Sequence, residues 1–343
     1  MIVNMSEFWD YLAHTGPDGH GFDQVIVPVR SSNPDRHELI YDDISNGRKP
    51  EADSMRTLGP LKYLFYQPRE TMYPDQYPNT SRIIAGVKAC DLKAMLLLDR
   101  ALLADGFVDP AYAHWRKNTL ILTSDCTVPS PACHCTLVEG KTYAEFGYDL
   151  NLSAVEDKYY ILIGSDAGKA FLDMMAKSIK VMEATREVQE LVQTNRHHMT
   201  HLVEQMNEAF PKRNGDSYSG MREQAMQSWQ EQSNTCIGCG ACTHICPTCY
   251  CLILNDESNG KMFTKVRSMD SCQYHGYARV AGGGTPRPKM AQRFRNRYLC
   301  KFSYMPDNFD MIGCTGCGRC TEACAGQIDF RKVVEKVTTP EAI

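Results

Sequence analysis

Between residues 24 and 164, short apolar runs alternate with amphipathic stretches. Residues 25–29, 63–66, 83–87, 119–123 and 159–163 have the length and composition of strands, and residues 91–103 carry Leu92, Met95, Leu96 and Leu102 at helical recurrence. This alternation predicts an N-terminal α/β domain. Pro28 has no N–H to give to a ladder, so the first run is expected at a sheet edge. From about residue 167 to residue 232 the apolar period lengthens to the helical one through Phe171, Met174, Met175, Leu191, Val192 and Leu202. The polar, glycine-bearing stretch 211–220 interrupts it, and the segment reads as a helical connector. Residues 234–330 are too poor in long periodic runs to promise a conventional core, so something other than apolar packing is expected to organise them. The fold class expected is α+β: an α/β domain over residues 1–165, a helical connector over 166–232, and a third domain over 233–343.

At ~150 residues per domain the length of 343 residues suggests about two domains. With 43% hydrophobic and 23% charged residues, the composition is that of a globular chain, not a disordered or fibrous one. The most apolar stretch, 95–107, is broken by Asp99, Arg100 and Asp105, far short of the ~18 uninterrupted apolar residues of a membrane span. Residues 1–10 show no basic segment followed by an apolar one, so a cytoplasmic location is expected. A formal net charge of -4 does not advertise nucleic acid as a partner.

Cysteine changes the picture. There are sixteen, too few for a disulfide scaffold of this length, and they are bunched: six lie between Cys236 and Cys251 and four between Cys314 and Cys324. Cys236, Cys239, Cys242 and Cys246, followed by Pro247, have the spacing C-x2-C-x2-C-x3-C-P. Cys314, Cys317, Cys320 and Cys324 repeat it with Ala325 in place of proline. This is the signature of a bacterial two-cluster ferredoxin, in which three thiolates wrap one 4Fe-4S cube and the fourth reaches the other. The ligand sets expected are Cys236, Cys239, Cys242 and Cys324 for the first cluster, and Cys314, Cys317, Cys320 and Cys246 for the second. Gly238, Gly240, Gly316 and Gly318 suit backbone that turns sharply beside inorganic sulfide. Zinc, which favours two separated ligand pairs, fits this spacing poorly.

A third set is suggested by topology. Cys90 follows the run 83–87, Cys126 follows the run 119–123, and one helix lies between them. A right-handed crossover would bring both thiols to the carboxyl edge of a parallel sheet, with Cys133 and Cys135 close by in the next loop. A third 4Fe-4S cluster on Cys90, Cys126, Cys133 and Cys135 is the expectation, with zinc or simple burial of small core thiols as the competing readings. Cys249, Cys251, Cys272 and Cys300 match no compact ligand spacing and read as buried thiols beside the clusters. His244, inside the first motif, reads as an exposed loop histidine or as a tuning residue. Residues 279–301 carry seven Lys and Arg without one Asp or Glu. Such charge offsets anionic clusters and can steer an acidic partner. A nucleic-acid interface would need more aromatic interleaving than Phe294 and Tyr298. Gly282 to Gly284 lacks the strand and helix of a nucleotide fingerprint, and no catalytic constellation stands out. The chain reads as a conductor of electrons.

The motifs resemble those of the iron-sulfur family that unites the A-type subunit of anaerobic sulfite reductase with the beta subunit of sulfhydrogenase. The resemblance rests on Gly86-Val87-Lys88-Ala89-Cys90-Asp91, Cys133-His134-Cys135, CIGCGACTHICPTCYC from Cys236, Asp270-Ser271-Cys272, Val280-Ala281-Gly282-Gly283, Arg293-Phe294-Arg295-Asn296-Arg297 and GCTGCGRC from Gly313, in family order. Ala325, Thr285-Pro286 and Asn296 depart from the family pattern. The resemblance implies an electron-transfer subunit of an anaerobic oxidoreductase. Its partners would be a flavin subunit linked to NAD(P)H or ferredoxin, and a catalytic subunit of sulfite reductase, nickel-iron hydrogenase or heterodisulfide reductase type. The alternative reading is a non-enzymatic iron-sulfur redox-sensing or nucleic-acid-binding module.

Overall fold

In chain order the first half forms β1 (Ile2–Asn4), α1 (Met5–His14), β2 (Gln24–Arg30), β3 (Leu39–Asp43), β4 (Arg69–Thr71), β5 (Arg82–Val87), α2 (Ala89–Leu102), a small ribbon of β6 (Leu103–Ala104) and β7 (Phe107–Val108), α3 (Pro110–Lys117), β8 (Thr119–Ser124), β9 (Leu150–Val155) and β10 (Lys158–Ile163). The structure is a computed structural model that describes residues 1–14, 21–33, 38–72, 77–104, 106–212 and 215–338. Seven strands make one sheet in the order β1, β10, β9, β8, β5, β2, β3. Its centre, β2, β5, β8 and β9, is parallel, and its ends are antiparallel.

β5 and β8 are buried along their whole length because the sheet is covered on both faces. Successive residues point to opposite faces, so Ile83 and Leu122 join the core under α1 while Ile84 and Ile121 join the core under α2. α2 buries Leu92, Met95, Leu98 and Leu102, the periodic positions of its sequence apart from half-exposed Leu96. Each fully buried leucine of this kind contributes roughly 1.5–3 kcal/mol.

Two local expectations are corrected. β2 is not an edge strand, for β3 lies outside it. Its pairing with β5 stops at Ile26, and the Pro28 ring lies where Gly86, at φ +75°, leaves room for it. The ladder gap is thus absorbed by a bulge between Ala85 and Val87 on β5. Residues 63–66 are not a strand either: Leu61–Leu64 forms a 3-10 helix. It reaches across the molecule, where the Tyr63 hydroxyl donates to the His244 carbonyl, the Tyr66 hydroxyl to that of Tyr250, and Lys62 Nζ to that of Cys249.

The second half adds α4 (Asp166–Met175), α5 (Arg186–Gln205), a 3-10 segment Gly215–Arg222, α6 (Met226–Gln232), α7 (Ala241–His244), β11 (Leu252–Ser258), β12 (Phe263–Met269), α8 (Met290–Leu299), a π-helical turn Cys300–Tyr304, α9 (Met305–Phe309), α10 (Arg319–Glu322) and α11 (Phe330–Thr338). β4 joins the β11–β12 hairpin as a third strand. Against expectation, the cysteine-rich half does own an apolar core. Trp229, Phe294, Tyr298, Phe302 and Phe330 pack together, with Tyr298 and Phe330 stacked at 4.8 Å. A few large rings, contributed by four separate elements, do what a periodic apolar run would do elsewhere.

Candidate metal centres

The first cysteine loop runs from Cys236 through a turn at Gly240 into the single-turn helix α7, which carries Cys242. Thr243 holds that turn by donating to the Gly240 carbonyl and sharing a hydrogen bond with the Ser271 hydroxyl. Cys236, Cys239 and Cys242 line one cavity with Cys320 and Cys324, which arrive from the second motif; Gln273, Phe294, Arg297 and Tyr298 close it. Burial pushes the Cys242 thiol up to about 11. Burial works against the Arg297 charge, and the ionisable groups around it, Cys242, Cys320, Tyr298 and Cys246, favour it and raise its pKa. Arg297 Nε and Gln273 Oε1 are buried here without a hydrogen-bond partner. Cys239 is exposed, as is Ile237 beside it, at 68%.

The second loop repeats the turn, with Cys320 on α10, but in a closed setting. Cys317 is buried. A Cβ on Gly316 would stand 2.3 Å from Cys135 Cα, and one on Gly318 would stand 2.4 Å from the Ala132 carbonyl carbon, so only glycine lets the two chain segments approach this closely. His134 N donates to the Gly316 carbonyl at 2.7 Å. Burial pushes Cys314 up to about 12 and Cys320 up to about 11. The thiols acting on Cys314 are Cys320, Cys317 and Cys246. Cys246 therefore stands within reach of the second loop as well as of Cys242 and Cys249 in its own. Its own pKa is lowered by a hydrogen bond from Cys249, with the Lys301 and Lys62 charges adding to the effect.

At the sheet, Cys90 lies in the first turn of α2 directly after β5, and Cys126 follows β8. The strands are parallel neighbours, so both cysteines leave the same edge. Cys126 acts electrostatically on Cys90, Cys133 acts on Cys126, and both Cys126 and Cys133 act on Cys135. Cys90 and Cys135 share a cavity with Lys93, Lys141 and Thr315. This edge abuts the second loop: Cys133 Sγ is 3.9 Å from the Cys317 carbonyl oxygen, and His134 Nε2 is 3.8 Å from Cys314 Sγ. The clamp between the two is Arg319, whose guanidinium pairs with both oxygens of Asp91 at 2.9 and 2.7 Å and donates to the carbonyls of Thr57 and Leu58.

The donor chemistry fits iron-sulfur clusters. Thiols held protonated by burial become thiolates when a metal displaces the proton. The orphaned Arg297 Nε can donate to an anionic sulfur core. Among the described residues no three Cys, His, Asp or Glu side chains are placed to hold a single metal ion. The sequence places the basic stretch beside the clusters without saying which charges turn inward. Arg293, Arg297 and Lys301 are buried, whereas Arg279 and Lys289 face solvent. His244 is half-buried and bonded to the Tyr274 hydroxyl.

The family described as a 4Fe-4S dicluster domain matches residues 235–328. Over 344 aligned residues the chain is 30% identical to the sulfhydrogenase 2 subunit beta of Pyrococcus furiosus, an alignment that covers 96% of this chain and 95% of that protein.

Proposed function

The chain belongs to the sulfhydrogenase beta-subunit family, and from that premise we propose that it is an iron-sulfur electron-transfer subunit of a hydrogenase-type complex. The observation that supports this reading is the gathering of the two motifs' thiols: Cys236, Cys239, Cys242, Cys320 and Cys324 line one cavity, and Cys246 reaches Cys314, which Cys317 and Cys320 also neighbour. Cys236, Cys239, Cys242 and Cys324 would hold one 4Fe-4S cluster, Cys246, Cys314, Cys317 and Cys320 a second, and Cys90, Cys126, Cys133 and Cys135 a third. The chemistry supplied by such clusters when bound is one-electron transfer at low potential.

The protein's own part is to hold the thiolates, exclude water and balance charge. Arg297 keeps a positive charge between the two ferredoxin-type quartets, which favours the reduced state of both. His134 donates from Nδ1 to the Ala132 carbonyl, which leaves Nε2 facing Cys314, and burial lowers its pKa to about 4. The ring is therefore neutral between the second and N-terminal quartets. The exposed edge at Ile237 and Cys239 would meet a partner. The partners proposed are a flavin subunit linked to NAD(P)H or ferredoxin and a catalytic subunit, in the cytoplasm. Among the described residues no helix is long and apolar enough to cross a membrane. The inward turn of Arg293, Arg297 and Lys301 removes much of the surface that a nucleic-acid reading would use.

Copurification from the native host tests the reading. Flavin and catalytic subunits are expected with the chain, and NAD(P)H is expected to bleach the iron-sulfur absorbance only in their presence. A chain that purifies alone and binds nucleic acid with steep salt dependence would contradict it.

A further inference from the structure

Cys249, Cys251, Cys272 and Cys300 stand outside the three quartets. They are far apart in sequence, yet the fold gathers them. Leu252 opens β11 opposite Met269 at the end of β12, and Asp270 N donates to the Cys251 carbonyl at 2.9 Å. Cys251 and Cys272 thus leave the same end of the hairpin. Cys300 opens the π-helical turn that ends α8, an irregularity that recurs at functional sites. Tyr277 links the three: its hydroxyl lies 3.8 Å from Cys251 Sγ and is acted on by Cys251, Cys272 and Cys300 together. Cys251 and Cys300 also act on Cys272, and Cys251 acts on Cys300, so each thiol of the triangle neighbours the other two. Cys249 lies between this triangle and the second quartet, hydrogen-bonded to Cys246 and acting with Cys251 and Cys300 on the Tyr250 hydroxyl.

We infer that Cys251, Cys272 and Cys300, with Cys249 as the fourth ligand, hold a further iron-sulfur cluster. Small cysteines filling an apolar core would have apolar neighbours. These have polar ones. Gln273 Nε2 is 3.3 Å from Cys272 Sγ, the kind of donor that supports a metal-bound sulfur. Lys301 is buried beside Cys300, and its ammonium donates to Thr248 Oγ1 at 2.7 Å. Cys272 also acts on Cys242, so this centre would lie next to the first quartet and extend the electron path sideways from it.

The inference stands on these side chains and not on the identity of any partner. Its test is iron, acid-labile sulfide and Mössbauer analysis of the anaerobically purified full chain, wild type against Cys272→Ala/Cys300→Ala. The double variant is expected to lose about four irons and four sulfides per chain while the ferredoxin-type spectrum persists. Unchanged iron in a folded double variant would overturn the inference. If the double variant does not fold, Cys300→Ala alone, at a helix end that tolerates alanine, is expected to lose iron or to change the spectrum of one cluster. Unchanged iron together with an unchanged spectrum would overturn it. The iron of the other quartets is counted in the same samples, so failure here is distinguishable from failure of the electron-transfer reading.

Discussion

The two cysteine loops have one spacing and opposite surroundings. Around the first, Cys239 and Ile237 face solvent, and a Cβ on Gly238 would meet only the flexible end of Met290. Around the second, Cys317 is buried, a Cβ on Gly316 would meet the Cys135 backbone, and the residue before the third cysteine is Arg319 where the first loop has Ala241. That exchange accounts for much of the difference. Ala241 makes no polar side-chain contact, while Arg319 is fully buried against a fully buried Asp91 on α2 and locks the loop to the sheet edge. The spacing is repeated, and the residues between the cysteines set the environment. One loop lies at the surface and the other in the interior.

The comparison breaks most sharply at that clamp. Arg319→Met leaves the Asp91 carboxylate buried without its partner, and about 3–5 kcal/mol of stability is expected to be lost. Ala241→Ser, at the matching position, is expected to change stability by less than about 0.5 kcal/mol. Thermal unfolding of the two variants checks both. Gly316→Ala combines a positive φ with a backbone clash and is expected to cost about 1–3 kcal/mol and to loosen the N-terminal quartet, read as lost iron. Gly238→Ala shares the positive φ but meets a methionine end that can move, so the smaller loss is expected there. At the surface, Ile237→Glu is expected to leave the thermal midpoint unchanged and to weaken partner binding by about tenfold, roughly 1.4 kcal/mol, in a titration with the isolated flavin subunit.

The smallest effect concerns pH on the buried side. Burial raises the Asp53 carboxyl pKa, so the folded chain keeps a proton that the unfolded chain has already lost. The stability this gives is full below the usual carboxylate value of 3.8 and is lost as pH rises through the raised one. Asp53→Asn is therefore expected to shrink the fall in thermal midpoint between pH 4 and pH 7, and an unaltered fall would contradict the assignment.

The dicluster domain and the central strands were legible because they are local: the cysteine intervals, and the runs that became β5 and β8, need no knowledge of the rest of the chain. The misses share a cause. β9 escaped notice because Asn151 and Ser153 look like solvent-facing residues, whereas they bond to Asp125, itself paired with Arg196 on α5. Tyr63 and Tyr66 look like strand residues because their partners, the carbonyls of His244 and Tyr250, lie far along the sequence. The convergence of Cys251, Cys272 and Cys300 depends on a hairpin and a helix end, and no spacing rule encodes it. Arg297 and Arg279 are alike in sequence, and only packing decides which turns inward.

The central claim is that the loops hold two clusters with exchanged fourth ligands, one accessible and one enclosed. Iron release to a chelator from the anaerobically purified full chain, wild type against Cys246→Ser, tests it most directly. The wild type is expected to release about four irons in a fast phase, from the accessible station, before the rest. Cys246→Ser is expected to leave that phase unchanged and to speed release from the enclosed quartet of Cys314, Cys317 and Cys320. Acceleration confined to the fast phase would place Cys246 with its sequence neighbours and contradict the account.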